Sequence, residues 1–375
     1  MLPPLPDLSW LTWRVLLAVF VLSALLGAVM HRTRFCTMGA ISDVVLMRDF
    51  TRARQWALAA SVAMLGTAAL AWAGLIRPAD TVYATPRWTG LSALAGGALF
   101  GFGMVLASGC GARALVRLGG GSLKALVVVL VMGLAAQATL RGITAVLRAS
   151  TVDRVALQGT APGTLGHWAA AWLNITPAQA GLLAALAVAL PLLAWVLARP
   201  AGRRGITLLA GLGVGGVAVA MWWASGVLGY LPEHPETLEA AYLAARSGRM
   251  EGLTFAAPAA YVLDWLTLFS DRHTRLNIGV ASVAGVVAGA WAHAVLTGQF
   301  RWEGFRTTED LANHLAGALL MGVGGVTAMG CTIGHGLSGL SVLSLLSFTA
   351  LPALVLGAVA ALRYQGWRLQ RQPLH

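Results

Sequence analysis

Apolar runs dominate the chain, recurring near residues 10–30, 55–76, 89–108, 123–147, 177–198, 205–228, 276–298, 311–329 and 338–363. A helix needs about 20 apolar residues to cross a hydrocarbon layer of roughly 30 Å, so the pattern predicts nine membrane-crossing helices. Two shorter apolar pieces, near 35–47 and 255–270, fall below the ~17 residues a crossing requires, and each carries an aspartate, Asp43 and Asp264. They are expected to be re-entrant or interfacial, because irregular backbone at membrane depth is tolerated only where protein or a cavity covers it. Residues 229–254, with Pro232, Glu233, Pro235, Glu239 and Glu251, are too short for a soluble domain and read as a loop.

Composition agrees. The 375 residues are 58% hydrophobic and 11% charged, which predicts an all-α polytopic membrane protein with one membrane domain over residues 1–375. Leu11–Met30 is expected to be a retained span, since Arg14 comes early and no small-x-small cleavage site precedes His31. A net charge of +12 in a soluble protein would suggest nucleic acid. Here the arginines sit at the ends of apolar segments, so sidedness accounts for them and no nucleic-acid partner is expected. The larger share, including Arg32, Arg48, Arg52, Arg113, Arg203 and Arg301, follows odd-numbered spans. The positive-inside rule then puts the C-terminus in the cytoplasm and the N-terminus outside.

The chain repeats itself at a constant offset of 221 residues, from Cys110 to Cys331. Asp43 meets Asp264, Ala60-Ser61-Val62-Ala63 meets Ala281-Ser282-Val283-Ala284, and Gly101, Gly103 and Gly109-Cys110 meet Gly322, Gly324 and Gly330-Cys331. If the short pieces do not cross, the second span corresponds to the seventh and the halves face opposite ways. The expectation is an inverted repeat, half one about 10–147 and half two about 205–363, with 177–198 as connector and a substrate site near the midplane.

Cys36, Cys110 and Cys331 are far apart and form no Cys-x-x-Cys pair, so neither a zinc cluster nor a disulfide framework is signalled. A lone buried cysteine is ordinarily a small hydrophobe. Duplication of Cys110 as Cys331, each ending a glycine run where Gly109, Gly111, Gly330 and Gly334 let backbone or ligand approach, favours a functional role. Cys36 begins the first short piece, where a pore-lining half-helix would start. His335, four residues after Cys331, could move a proton, but Ala114 stands at its repeat position. Asp43 and Asp264 read as structural carboxylates with Arg48 or Arg275 as partners, His293 as packing, and Trp222-Trp223 as packing and interface anchoring. No phosphate loop, dinucleotide fingerprint or His-Glu-x-x-His motif occurs. No cofactor and no enzymatic activity are therefore expected. Two function classes stay open: a path for a small soft anion, and a redox or Cu(I) protein using Cys110 and Cys331.

Gly330-Cys331-Thr332-Ile333-Gly334-His335-Gly336-Leu337-Ser338-Gly339 and Arg34-Phe35-Cys36-Thr37-Met38-Gly39-Ala40, set in a polytopic chain, resemble the YeeE/YedE family of sulfur-compound transporters over roughly residues 10–363. The first cysteine motif departs from the second at Gly111-Ala112-Arg113. The resemblance implies an inner-membrane transporter of thiosulfate or a related sulfur anion, with Cys36, Cys110 and Cys331 along the path. It also implies a cytoplasmic sulfur-carrier or sulfurtransferase partner, expected to dock on the arginine-rich face around Arg48–Arg54 and Arg199–Arg204. A thiol suits such cargo independently, being a weak hydrogen-bond donor and acceptor and a soft partner for a polarizable sulfur.

Overall fold

The computed structural model describes residues 8–235, 237–271 and 274–371. In chain order the helices are α1 (Leu8–Thr33), α2 (Thr37–Ser42), α3 (Thr51–Trp72), α4 (Gly90–Leu106), α5 (Gly111–Gly119), α6 (Leu123–Arg141), α7 (Ile143–Ser150), α8 (Leu165–Leu173), α9 (Pro177–Leu197), α10 (Pro200–Arg203), α11 (Gly205–Trp223), α12 (Ala256–Thr267), α13 (Ile278–Leu296), α14 (Thr308–Thr327) and α15 (Leu345–Arg371). The remaining regular structure is a few short 3-10 and π turns and two two-stranded ribbons of two residues per strand. The chain is an all-α polytopic membrane protein. Eight helical stretches are long and apolar enough to cross a membrane. Helix α14, 20 residues long, carries Glu309, Asp310 and His314 in its first two turns and is more polar than these.

Each expected apolar range holds a helix, with differences that have local causes. The range 123–147 divides because Gly142 is extended (φ −102°, ψ −154°), so α6 stops at Arg141 and α7 follows as a separate helix with no buried residue. The last range begins late: Gly334–Gly339 is a buried π-helical turn, Leu343 is left-handed, and the straight helix starts at Leu345. Helix α8 was not foreseen; Thr164 caps its start and left-handed Asn174 ends it. The next start is written plainly in the sequence, where Thr176 and Gln179 form a capping box around Pro177. The short pieces are α2 with the π-helical turn Asp43–Met47, and α12 of 12 residues.

Helix α1 packs on α13 while α11 packs on α3; α4 packs on α15 while α6 packs on α14; and α4 and α14 pack on each other. Between helices in lipid, small residues allow van der Waals packing that lipid cannot match. A Cβ added to Gly103 would come 2.6 Å from the Gly317 carbonyl, and one added to Gly324 would come 2.5 Å from the Phe100 amide. Helices α4 and α14 therefore touch backbone to backbone, with Phe100, Met104 and Met321 fully buried beside them.

Gly324→Val should lower the thermal unfolding temperature of the detergent-solubilised protein, the clash corresponding to about 1–3 kcal/mol. Gly366→Ala, whose added Cβ meets nothing within 4 Å, should leave the melting curve in place. Equal curves for the two variants would remove the backbone-contact account.

Candidate functional site

Three helix breaks share one backbone construction. Arg34, Ser108 and Met329 adopt left-handed φ values of 54°, 55° and 62°, and two residues after each comes a cysteine at the start of a short helix. Cys36 (φ −158°, ψ 127°) is the N-cap of α2 and Cys110 (φ −74°, ψ 169°) the N-cap of α5. The Cys331 carbonyl accepts the His335 amide at 2.9 Å, starting the helical turn after the third break. At such a position Ser, Thr, Asp or Asn ordinarily receives an amide of the first turn.

Here sulfur receives it. Gly39 N donates to Cys36 Sγ at 3.4 Å. Cys331 Sγ accepts Gly334 N at 3.5 Å, Phe255 N at 3.3 Å and the Thr254 hydroxyl at 3.7 Å. Cys110 makes no formed cap; its thiol faces the Arg113 amide and the hydroxyls of Thr332 and Thr37, the last at 4.0 Å. The Cys36 and Cys110 thiols interact directly, and Cys110 lies within electrostatic reach of Cys331. All three are buried and free. The fold thus gathers three thiols from breaks after α1, α4 and α14, and Cys110 has Cys36 as its thiol neighbour rather than Cys331, the pairing that the redox or Cu(I) alternative used.

The glycines named from the sequence flank these breaks. Gly111 lies against the Met132 sulfur, Gly330 against the His335 ring, and Gly334 where a Cβ would meet the Tyr83 hydroxyl at 2.6 Å. His335 is fully buried; Nε2 donates to the Ala328 carbonyl (2.8 Å) and Nδ1 accepts from the Ser347 hydroxyl (2.9 Å). Both nitrogens are engaged, so His335 braces the third break against α15.

Two cavities border the cysteine breaks. One, of about 250 Å³, is lined by Tyr83, Glu251, Thr254, Tyr261, Met329 and Gly330 among others, and so borders the hydroxyl and the glycine next to Cys331. Burial pushes its Glu251 carboxyl up, against the opposing pull of the Ser247 hydrogen bonds. The other, of about 370 Å³, is lined by His31, Arg113, Arg117, Ser122 and Arg301 among others, and borders the Arg113 turn beside Cys110.

Several functional neighbours were not read from the sequence. Thr37 and Thr332 each follow a cysteine, a repeated Cys-Thr dipeptide that could have signalled them. The end of the 229–254 loop and Phe255, read as the first residue of the short piece 255–270, run through the interior, where Met250, Leu253 and Phe255 are fully buried and Thr254 and the Phe255 amide reach Cys331. The aspartates are structural, but with other partners: Asp43 pairs with Arg52 (2.9 Å), not Arg48, whose left-handed backbone ends the π-helical turn. Asp264 pairs with Arg141 (2.6 Å) and Arg246 (3.2 Å) and accepts from Gln137, not with Arg275. His293 does more than pack, its Nδ1 lying 2.9 Å from His31 Nδ1. Trp222 is buried and bonded to Ser341, while Trp223 is 40% exposed.

Long apolar helices around buried polar groups that open toward two cavities define a multi-pass membrane protein of the transporter class. The chain belongs to the sulphur-transport family, whose profile matches residues 32–360, and is accordingly a transporter of sulfur compounds. It is 26% identical to the thiosulfate transporter TsuA of Escherichia coli K12 over 352 residues, 92% of this chain and 94% of that one. It is 28% identical to the thiosulfate transporter TsuA of Spirochaeta thermophila over 370 residues, covering 92% and 96%.

Asp264→Leu should leave two arginines facing a side chain that cannot answer them and cost about 3 kcal/mol, while Asp43→Leu, with one half-exposed partner, should cost less, about 1 kcal/mol. Denaturation midpoints in detergent check the order; the reverse order would show that Asp264 does not hold α12 to α6.

Proposed function

We propose that the chain carries thiosulfate or a closely similar small sulfur anion inward across a bacterial inner membrane, past Cys331, then Cys110 and Cys36. The observation that carries this is the gathering of three thiols at helix starts, with one cavity bordering the Cys331 break and another the Cys110 break. The short helices offer amide N–H groups at their N-termini, a partial positive charge that attracts an anion without a full buried cation. The thiols are soft and bond weakly, so each stage holds the anion loosely, as passage through sites in series requires. Thr254 and Thr332 hydroxyls stand where the oxygen end of the anion would need donors; Thr332 Oγ1 is buried and has no hydrogen-bond partner.

The reciprocal packing of α1 on α13 with α11 on α3, and of α4 on α15 with α6 on α14, supports an inverted repeat, half one about 10–147 and half two about 205–363, joined through 177–198. The arginine distribution supports an outside N-terminus, with the cavity at Tyr83 and Thr254 facing out and the cavity at Arg113 facing in. A cytoplasmic sulfur-carrier or sulfurtransferase docking near Arg48–Arg54 and Arg199–Arg204 would consume the anion on arrival. In this scheme the protein makes and breaks no covalent bond.

Cys110→Ala and Cys331→Ala should each abolish thiosulfate uptake by cells lacking other sulfur importers while the protein remains folded and inserted, and Cys36→Ala should reduce it. Wild-type uptake in both of the first two variants would remove the relay. In proteoliposomes without a partner inside, thiosulfate should equilibrate and respond to voltage alone. A dianion driven inward against an inside-negative potential faces about 4.6 kcal/mol per 100 mV, twice the roughly 2.3 of a single charge. Accumulation that tracks a proton or sodium gradient would show ion coupling instead.

A further inference from the structure

The arginine-lined cavity is more than an opening. Its rim is tied by backbone: Arg301 N donates to the Gly120 carbonyl (3.1 Å), Glu303 N to Gly121 (3.2 Å), and Leu123 N to Glu303 (2.9 Å). This fixes the 299–303 loop against the turn between α5 and α6. This half-open space is lined by Arg113 and Arg117, one helical turn apart on α5, with Arg301 from the opposite loop and His31 from the end of α1. The one carboxylate lining it is Glu303, which is shared by Arg117 (3.5 Å) and Lys124 (3.7 Å). Among the described residues no carboxylate lies within ion-pair distance of Arg113 or Arg301. Ser122, 5% exposed and also lining the cavity, has a buried hydroxyl with no hydrogen-bond partner. An unanswered buried hydroxyl is costly, and its sharing one cavity with two guanidinium groups that have no carboxylate partner describes a place for an acceptor-only group with more than one oxygen.

We infer that this cavity is a binding site for a free tetrahedral oxyanion dianion, sulfate being the simplest member, held by Arg113, Arg117, Arg301 and the Ser122 hydroxyl. About 370 Å³ exceeds the roughly 30 Å³ that a water molecule occupies in the liquid by enough for such an ion with part of its hydration shell. The site differs in kind from the thiol cluster. It recognises oxygen and charge, so it does not discriminate the sulfonate end of thiosulfate from sulfate. The inference goes beyond the transport function, since occupancy can be measured with no flux.

Equilibrium dialysis of radiolabelled sulfate against purified protein in neutral-lipid nanodiscs tests it. Wild type should bind saturably. Arg301→Gln and Arg117→Gln should each weaken binding about tenfold or more, the loss of one charge-assisted contact, with gel-filtration profiles and melting curves unchanged. Arg301→Lys should retain most of the affinity. Absence of saturable sulfate binding to wild type, or equal affinity in wild type and both glutamine variants, would overturn the assignment. Phosphatidylglycerol added to the nanodiscs should not displace sulfate; displacement would make the occupant a lipid headgroup and overturn the free-anion assignment. Thiosulfate uptake by the cysteine variants is read separately, so failure of the relay and failure of this site are distinguishable.

Discussion

A helix that begins inside an apolar interior leaves its first amide N–H groups without partners, and leaving one buried and unpaired costs about 1–3 kcal/mol. Among the described residues three such starts carry a cysteine: at Cys36 and Cys331 the sulfur accepts a first-turn amide, and at Cys110 the thiol faces the Arg113 amide without closing a cap. A serine or aspartate would close the cap more firmly. Sulfur closes it weakly, leaving the turn partly satisfied and therefore receptive. On the proposed route, an anion arriving at Cys331 would meet amides already oriented by the fold and complete what the thiol only begins. The left-handed residues Arg34, Ser108 and Met329 serve the same end. For non-glycine residues that conformation is uncommon, and it turns the chain sharply just before the cysteine that starts each new helix, with the sulfur over the first turn at Cys36 and Cys331.

The breaks matter only because they meet, and they meet because α4 and α14 lie backbone against backbone. Gly103 faces Gly317 and Gly324 faces Phe100 N across that contact, which brings the ends of both helices, and hence Cys110 and Thr332, together. Stability and site geometry are coupled here. Any side chain larger than hydrogen at these glycines would separate the thiols as it separated the helices. His335 plays a comparable part at the third break, fixing Ala328 to Ser347 through one imidazole.

What the sequence showed depended on whether a feature was local and periodic. Span-length apolar runs are both, so every long helix could be placed, and the range 177–198 begins on the first residue of α9. The paired Gly-Cys motifs marked the two matched breaks, and Cys36 was found from its own motif. Features set by tertiary contact were hidden. Nothing near Asp264 in the sequence points to Arg141, which reaches it from the end of α6. Phe255 was legible as an aromatic residue, but its function is its amide, and only folding of the 249–255 stretch into the interior brings that amide to Cys331. The convergence of Cys36 with Cys110 was likewise not derivable from spacing, since 36 has no repeat counterpart to set a register.

The two cavities are electrically unlike, and this bears on direction. The one bordering Cys331 contains Glu251 and one arginine, Arg148, which is already paired with Asp153; the one bordering Cys110 contains three arginines against a single shared carboxylate. On the proposed route an anion would pass from a nearly neutral cavity, through weak thiol and amide donors, into a strongly positive one. Such a gradient raises occupancy of the far cavity, but it cannot change the free-energy difference between the two solutions, which is fixed by concentration and voltage. A positive trap even slows final release unless something removes the anion from it. In the proposed scheme, net inward flow would be drawn by consumption at the arginine-rich end. If the cavity arginines hold the oxygen end of the anion as proposed, its sulfur end is left free for a protein that accepts the sulfur.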